Sequence, residues 1–189
     1  PSTVYLGLSN GDVLKSADRG RNWTKIYAAA SPITEILMSY KDSRVLILGT
    51  ERKGLFRSTD AGSSWTALAK SLESYRDSES VYRVVQTDSG NVIYAASRYG
   101  ILRSDNVGET WYPLSLVTSP SEVVIRALAV DPDNADALYY ATDSTLYQSH
   151  DAGTTWGTSR LPSTRAASSL TLDSEDANVL YLGVRALKK

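Results

Sequence analysis

The chain has 189 residues, 42% hydrophobic and 22% charged, with 20 Lys and Arg against 21 Asp and Glu for a net charge of -1. That balance suits one sizeable folded domain or two small ones; it excludes a disordered chain and argues against nucleic acid as a partner. Zero Cys excludes disulfides, a thiolate metal site and a Cys nucleophile, and a lone His150 excludes a His-rich metal cage. No apolar run reaches the roughly 18 residues of a membrane span. The opening residues carry no signal-peptide pattern, as a processed chain would also not.

The 12 Tyr, against 1 Phe and 1 Met, stand among many Ser, Thr and Val, a composition that favours pleated, half-buried strands. In chain order, strands are predicted over 4–7 and 13–15, followed by Ser16, Asp18, Gly20 and Trp23. A second unit places apolar runs at 33–38, 45–49 and 55–57 before Ser58, Asp60, Gly62 and Trp65. A third places them at 81–86, 92–95 and 101–103 before Ser104, Asn106, Gly108 and Trp111. A fourth places them at 124–130, 137–140 and 146–148 before Ser149, Asp151, Gly153 and Trp156. The shared pattern is S-x-[DN]-x-G-x-x-W, and its starts lie 42, 46 and 45 residues apart. Gly, Asn, Asp and Ser punctuate the turns, and no segment keeps a helical period. Four short strands at a period of roughly 45 residues are the mark of a propeller blade, whose two faces are buried only by stacking blades around an axis. The expected fold is therefore all-β, a β-propeller of four-stranded blades.

The motif has a mechanical role. It spans the hairpin between the third and fourth strands, where the Asx side chain accepts backbone amides. Gly adopts a conformation other residues resist, and Trp packs over the turn. A metal-binding or catalytic role for the four Asx residues is disfavoured, because a repeated hairpin spreads them around a ring. These residues resemble the Asp-box, or BNR, repeat. It is found in sialidases, xyloglucan-active glycoside hydrolases, sortilin-type receptors and photosystem II assembly and stability factors. The resemblance covers essentially the whole chain and implies the propeller fold, with the boxes on the face away from the binding site. Asn106 departs from the pattern but accepts the same bonds. The family usually lies outside the cytosol, which implies an extracytoplasmic location.

Blade units are expected over about 3–28 completed by 166–173, then 32–69, 80–115 and 122–162, with 174–189 an extra strand and tail. Residues 168–173 match 126–131, and 179–183 nearly copy 4–7. Three readings stay open: a piece of a larger propeller, a homo-oligomer joined through unpaired terminal strands, and a self-closed ring of four blades.

Aligning the units puts Glu35, Arg83, Arg126 and Ser168 at equivalent positions where the innermost strands begin. Arg52, Arg98 and Tyr99 lie in loops of the same face. Such a rim suits a carboxylate or an acidic peptide, although these charges also solvate a channel mouth and pair with one another. Residues 70–80 form the longest insertion and read as a solvated loop of mixed charge. Lys15, Arg57 and Arg103 recur just before three boxes, either as a basic stripe or opposite acidic neighbours. Glycoside hydrolysis needs two convergent carboxyl groups or a Tyr–Glu pair with an acid. Glu35 is the best acid and has no evident partner, and the Arg-Ile-Pro type signature of sialidases is absent. No phosphate loop, serine elbow or metal cluster appears. The sequence thus points to a non-catalytic scaffold that binds a protein or peptide and uses no cofactor or metal. A carbohydrate-active propeller and a self-assembling repeat unit are the alternatives.

Overall fold

The computed structural model describes residues 2–173, 175–176 and 178–186. Residues 174, 177 and 187–189 of the expected C-terminal tail lie outside the described residues. The first sheet holds β1 (Val4–Gly7), β2 (Asp12–Ser16) and β3 (Thr24–Ala28). The second holds β4 (Ile33–Met38), β5 (Leu46–Thr50), β6 (Leu55–Ser58) and β7 (Thr66–Ala67). The third holds β8 (Val81–Gln86), β9 (Ile93–Ser97), β10 (Ile101–Ser104) and β11 (Tyr112–Pro113). The fourth holds β12 (Ala127–Val130), β13 (Leu138–Ala141), β14 (Thr145–Ser149) and β15 (Gly157–Arg160), and the fifth holds β16 (Ala166–Leu172) and β17 (Leu180–Arg185). Every pairing is antiparallel between chain neighbours, so each sheet is a meander. The fold is that of successive β-propeller blades.

Alternation along each strand sends side chains into two different blade interfaces. In β9, Ile93 and Ala95 join the cluster facing the second sheet, while Tyr94 and Ala96 join the cluster facing the fourth. Smaller clusters around Leu48 and Phe56, and around Ala141 and Leu170, fill the first and last interfaces. Two expectations change here. Residues 166–172 pair with β17, not with β1, so they do not complete the first unit. The self-closed ring of four blades, which needs that partnership, does not form. In the fourth unit, the strand starts at Ala127, and Val124 is exposed outside it.

The boxes occupy the β2–β3, β6–β7, β10–β11 and β14–β15 hairpins. In each, the Ser hydroxyl is buried and donates to the Asx Oδ1, at 2.7 Å for Ser16 to Asp18 and 3.0 Å for Ser104 to Asn106. It also accepts the box glycine amide at 2.8–2.9 Å. The Asx Oδ1 accepts the amide four residues ahead, as from Ser64 at 2.8 Å and Thr110 at 2.9 Å. The tryptophan indole donates to the box glycine carbonyl in the first three boxes, whereas Trp156 donates to Ser115 at 2.9 Å. Not only glycine is left-handed: Arg19, Ala61, Val107 and Ala152, just before the glycines, have φ of 63, 58, 58 and 59°.

The repeated basic residues form neither an exposed stripe nor a simple set of acidic pairs. Lys15 Nζ donates to the Ala61 carbonyl at 3.2 Å, and Arg57 Nε to the Val107 carbonyl at 3.0 Å, each reaching the box of the next blade. Arg103 instead pairs with Asp105 at 2.8 Å and Asp136 at 3.5 Å. In the second and third boxes the carbonyl of the left-handed residue thus latches the preceding blade.

Candidate functional site

The four complete or partial inner strands β4, β8, β12 and β16 wall a cleft of about 440 Å³. Glu35 and Arg83 meet on it at 2.9 Å, and Met38, Tyr40 and Pro132 line it farther along the strands. Gln86 ties the second and third inner strands by accepting the Tyr40 amide at 3.2 Å and donating to the Met38 carbonyl at 2.8 Å. Burial raises the Glu35 pKa, and this outweighs the nearby Arg83 guanidinium and the Val84 amide, which both lower it. Among the described residues that line the cleft, Glu35 is the one carboxylate. Among the described residues, no group of three or more His, Asp or Glu is arranged to hold a metal ion.

The rim alignment expected from the sequence slips by one residue at Arg126 and Ser168. Three inner strands carry a register shift near their starts, between Ile33 and Glu35, Val81 and Arg83, and Ala167 and Ser169. Such a bulge inserts a residue and re-aims side chains. Glu35 lies opposite Gly49 and Arg83 opposite Ala96, and the matching residues in the next two sheets are Ala127, opposite Ala141, and Ser169, opposite Gly183. Arg126 takes the position of the inserted Tyr82. It turns to the β13–β14 loop and pairs with Asp143 at 2.7 Å. Neither Arg126 nor Arg98 lines the Glu35–Arg83 cleft. Arg52 is exposed in the β5–β6 loop, with Glu51 at 3.7 Å and its amide on Ser31.

Arg98 and Tyr99 belong to a different assembly, over the β9–β10 hairpin. The 70–80 insertion is solvated at Lys70, Glu73, Arg76 and Glu79 as expected, but it is anchored: Ala69–Leu72 forms a short 3-10 turn, and Leu72 and the preceding Leu68 are buried in the core. The second participant, 114–126, escaped sequence reasoning. Its length and its paired Pro113 and Pro120 were the available signals. The two long connections meet where Ser121 Oγ donates to Asp77 at 2.8 Å, and the Tyr75 ring of the first lies 5.4 Å from the Tyr99 ring of the β9–β10 hairpin. The hairpin is held between them by the Arg98 amide on Ser80 and the Ser121 amide on Tyr99. Ser121 and Asp77 both adopt positive φ, of 63 and 69°, so the clasp holds two non-glycine residues in a costly conformation. Burial raises the Tyr82 pKa, opposed by the fields of Arg98 and Arg126 and reinforced by Asp77. The result is a rigid platform of Tyr75, Tyr99, Tyr82, Arg98 and Arg126, flanked by a groove of about 360 Å³ along 113–120.

No protein-family model matches the chain. The chain is 29% identical over 161 residues to a xyloglucanase of Hypocrea jecorina (strain QM6a), covering 82% of this chain and 18% of that relative. It thus spans under a fifth of the length of the curated relative it matches. Among solved structures, YCF48 bound to D1 peptide superimposes with a TM-score of 0.68 at 14% identity, over 97% of this chain and 57% of that one. The extracellular domain of BT4673 from B. thetaiotaomicron gives 0.73 at 16% identity, over 97% and 25%. These neighbours are propellers and agree with the architecture found here. No helix among the described residues is long and apolar enough to cross a membrane.

Proposed function

We propose that the chain is a non-catalytic β-propeller scaffold that binds a protein or peptide partner through the loop platform of its third blade, outside the cytoplasm. The observation that carries this reading is the clasp, in which Ser121–Asp77 joins the two long connections and Tyr75–Tyr99 packs the first of them on the β9–β10 hairpin. Rigid aromatic side chains lose little entropy on binding and supply large contact area. The D1 peptide bound to the YCF48 neighbour supports a peptide mode, and the extracellular domain of BT4673 supports the location. The xyloglucanase relative raises the hydrolase alternative, against which Glu35 is closed on Arg83 and is the one carboxylate among the described residues lining its cleft.

Two measurements test the reading. Peptides selected from a random library on the immobilised chain are expected to weaken at least tenfold with Tyr99→Ala and to be unmoved by Glu109→Ala, in the third box. Incubation with xyloglucan is expected to release no reducing ends. Release that disappears with Glu35→Gln would replace the scaffold reading with a hydrolase.

A further inference from the structure

The cations of the loop face differ in whether they are already engaged. Arg83 is closed on Glu35 at 2.9 Å and Arg126 on Asp143 at 2.7 Å. Arg52 has Glu51 at 3.7 Å. Arg98 makes no ion pair and no side-chain hydrogen bond among the described residues, although its backbone is fixed to Ser80. It stands beside Tyr99 in sequence, in the same electrostatic field as Arg126 and the Tyr82 hydroxyl. An exposed, unneutralised guanidinium offers a carboxylate a forked pair of donors without first breaking another pair.

The groove next to it offers apolar side chains. Leu114, Leu116, Val117 and Pro120 alternate along it with Ser115, Thr118 and Ser119, and Val117 is 59% exposed. Leu114 and Leu116 also pack into the core beneath, so the groove floor is fixed by the fold. Apolar surface of this kind, at the side of an unpaired cation, is complementary to a ligand carrying both an anion and an apolar side chain.

We propose that Arg98 receives a carboxylate of a peptide whose adjoining aliphatic or aromatic side chain enters the Tyr99–Pro120 groove. This rests on the loop-face reading and adds the chemistry of the partner: an acidic residue, or a chain end, next to an apolar one. The groove sets the neighbour's apolar character, and Arg98 sets the charge.

The test is a random heptapeptide phage library selected against the full chain, followed by fluorescence anisotropy of the selected peptides. The selected sequences should place Asp, Glu or a free carboxyl terminus beside Leu, Ile, Val or Phe. Replacing that Glu by Gln in the peptide should weaken binding at least tenfold, as should Arg98→Ala. Val117→Asp should do the same by putting a charge in the groove, and raising the salt from 0.05 M to about 0.3 M should weaken binding several-fold. Arg98 is exposed, so unchanged melting of Arg98→Ala keeps the comparison free of misfolding. Peptides that lose affinity with Tyr99→Ala but not with Arg98→Ala, or that carry no acid, would overturn this proposal and leave the loop-face reading standing. Peptides indifferent to both substitutions, or a library yielding no binder, would overturn both.

Discussion

In each box the serine hydroxyl, not the Asp or Asn side chain, reaches the glycine amide, and the Asp or Asn oxygen takes the amide beyond it. Ser58→Ala leaves the buried Gly62 amide without its acceptor, at a cost of roughly 1–3 kcal/mol, read from the urea midpoint. The carboxylates of Asp18, Asp60 and Asp151 are lowered from 3.8 to about 2, chiefly by hydrogen bonds from residues four ahead. A depressed folded pKa stabilises the protein above the unfolded value, and that contribution is lost as pH falls from about 4 towards 2. Asp60→Asn should therefore fold normally at neutral pH, as Asn106 does in the third box, and lose less stability than the parent between pH 4 and pH 2. An equal loss on acidification would mean that the Asp60 hydrogen bonds do not govern its titration. Tryptophan truncations should follow burial: Trp111, 6% exposed, loses about 3–5 kcal/mol on change to Ala. Trp23, 38% exposed, should lose clearly less in the same melting series.

At the scale of elements, the boxes do more than close hairpins, because they also form the blade contacts. A Cβ at Gly62 would stand 2.7 Å from Ile26 Cδ1 of the first sheet, and one at Gly108 would collide with the Ile47 side chain of the second. Gly108 also has φ +74°, so Gly108→Ala should cost at least 1–2 kcal/mol, on the order of the left-handed backbone penalty alone. If Gly108→Ala melts with the parent, blade approach is not limited by the box. On the platform, a double-mutant cycle of Tyr75→Ala and Tyr99→Ala should show a coupling of about 0.5–1.5 kcal/mol, since their rings are 5.4 Å apart. Strand positions within the units and box positions were legible in the sequence because the pattern S-x-[DN]-x-G-x-x-W recurs with its flanking strands, whereas the partner of 166–172 was not. What stayed hidden depended on register and on distant partners. A bulge at Tyr82 shifts Arg126 out of line with Arg83, and bulges leave no trace in residue type. The Ser121–Asp77 clasp joins residues 44 apart, and neither loop alone shows that it meets the other. The Lys15 and Arg57 latches were visible as a repeat, but their acceptors are backbone carbonyls, which no side-chain pattern reveals.

Across the whole molecule, each sheet packs on its chain neighbours, so stability is expected to sum from blades and nearest-neighbour interfaces. The central strands β5 and β9 are buried along their whole length, and β13 nearly so. The end sheets differ: in β1, Val4 and Leu6 are 40% and 43% exposed, and in β17, Tyr181 is 55% exposed. The first sheet has three strands and the last has two, each covered by a packed sheet on one side. Amides opened by local unfolding exchange at rates set by the stability of their own unit. Hydrogen exchange followed by mass spectrometry should therefore find β9 slowest and β5 and β13 close behind. The β1–β3 sheet should be intermediate and β16–β17 fastest, because among the described residues each of its strands has a ladder neighbour on one side alone. The order should persist when the whole molecule is destabilised with low urea, since an end sheet can open without breaking the Leu102 and Trp111 cluster between the second and third blades. Protection of β17 equal to that of β9 would show that the sheets open as one unit, and nearest-neighbour additivity would then be wrong for this propeller.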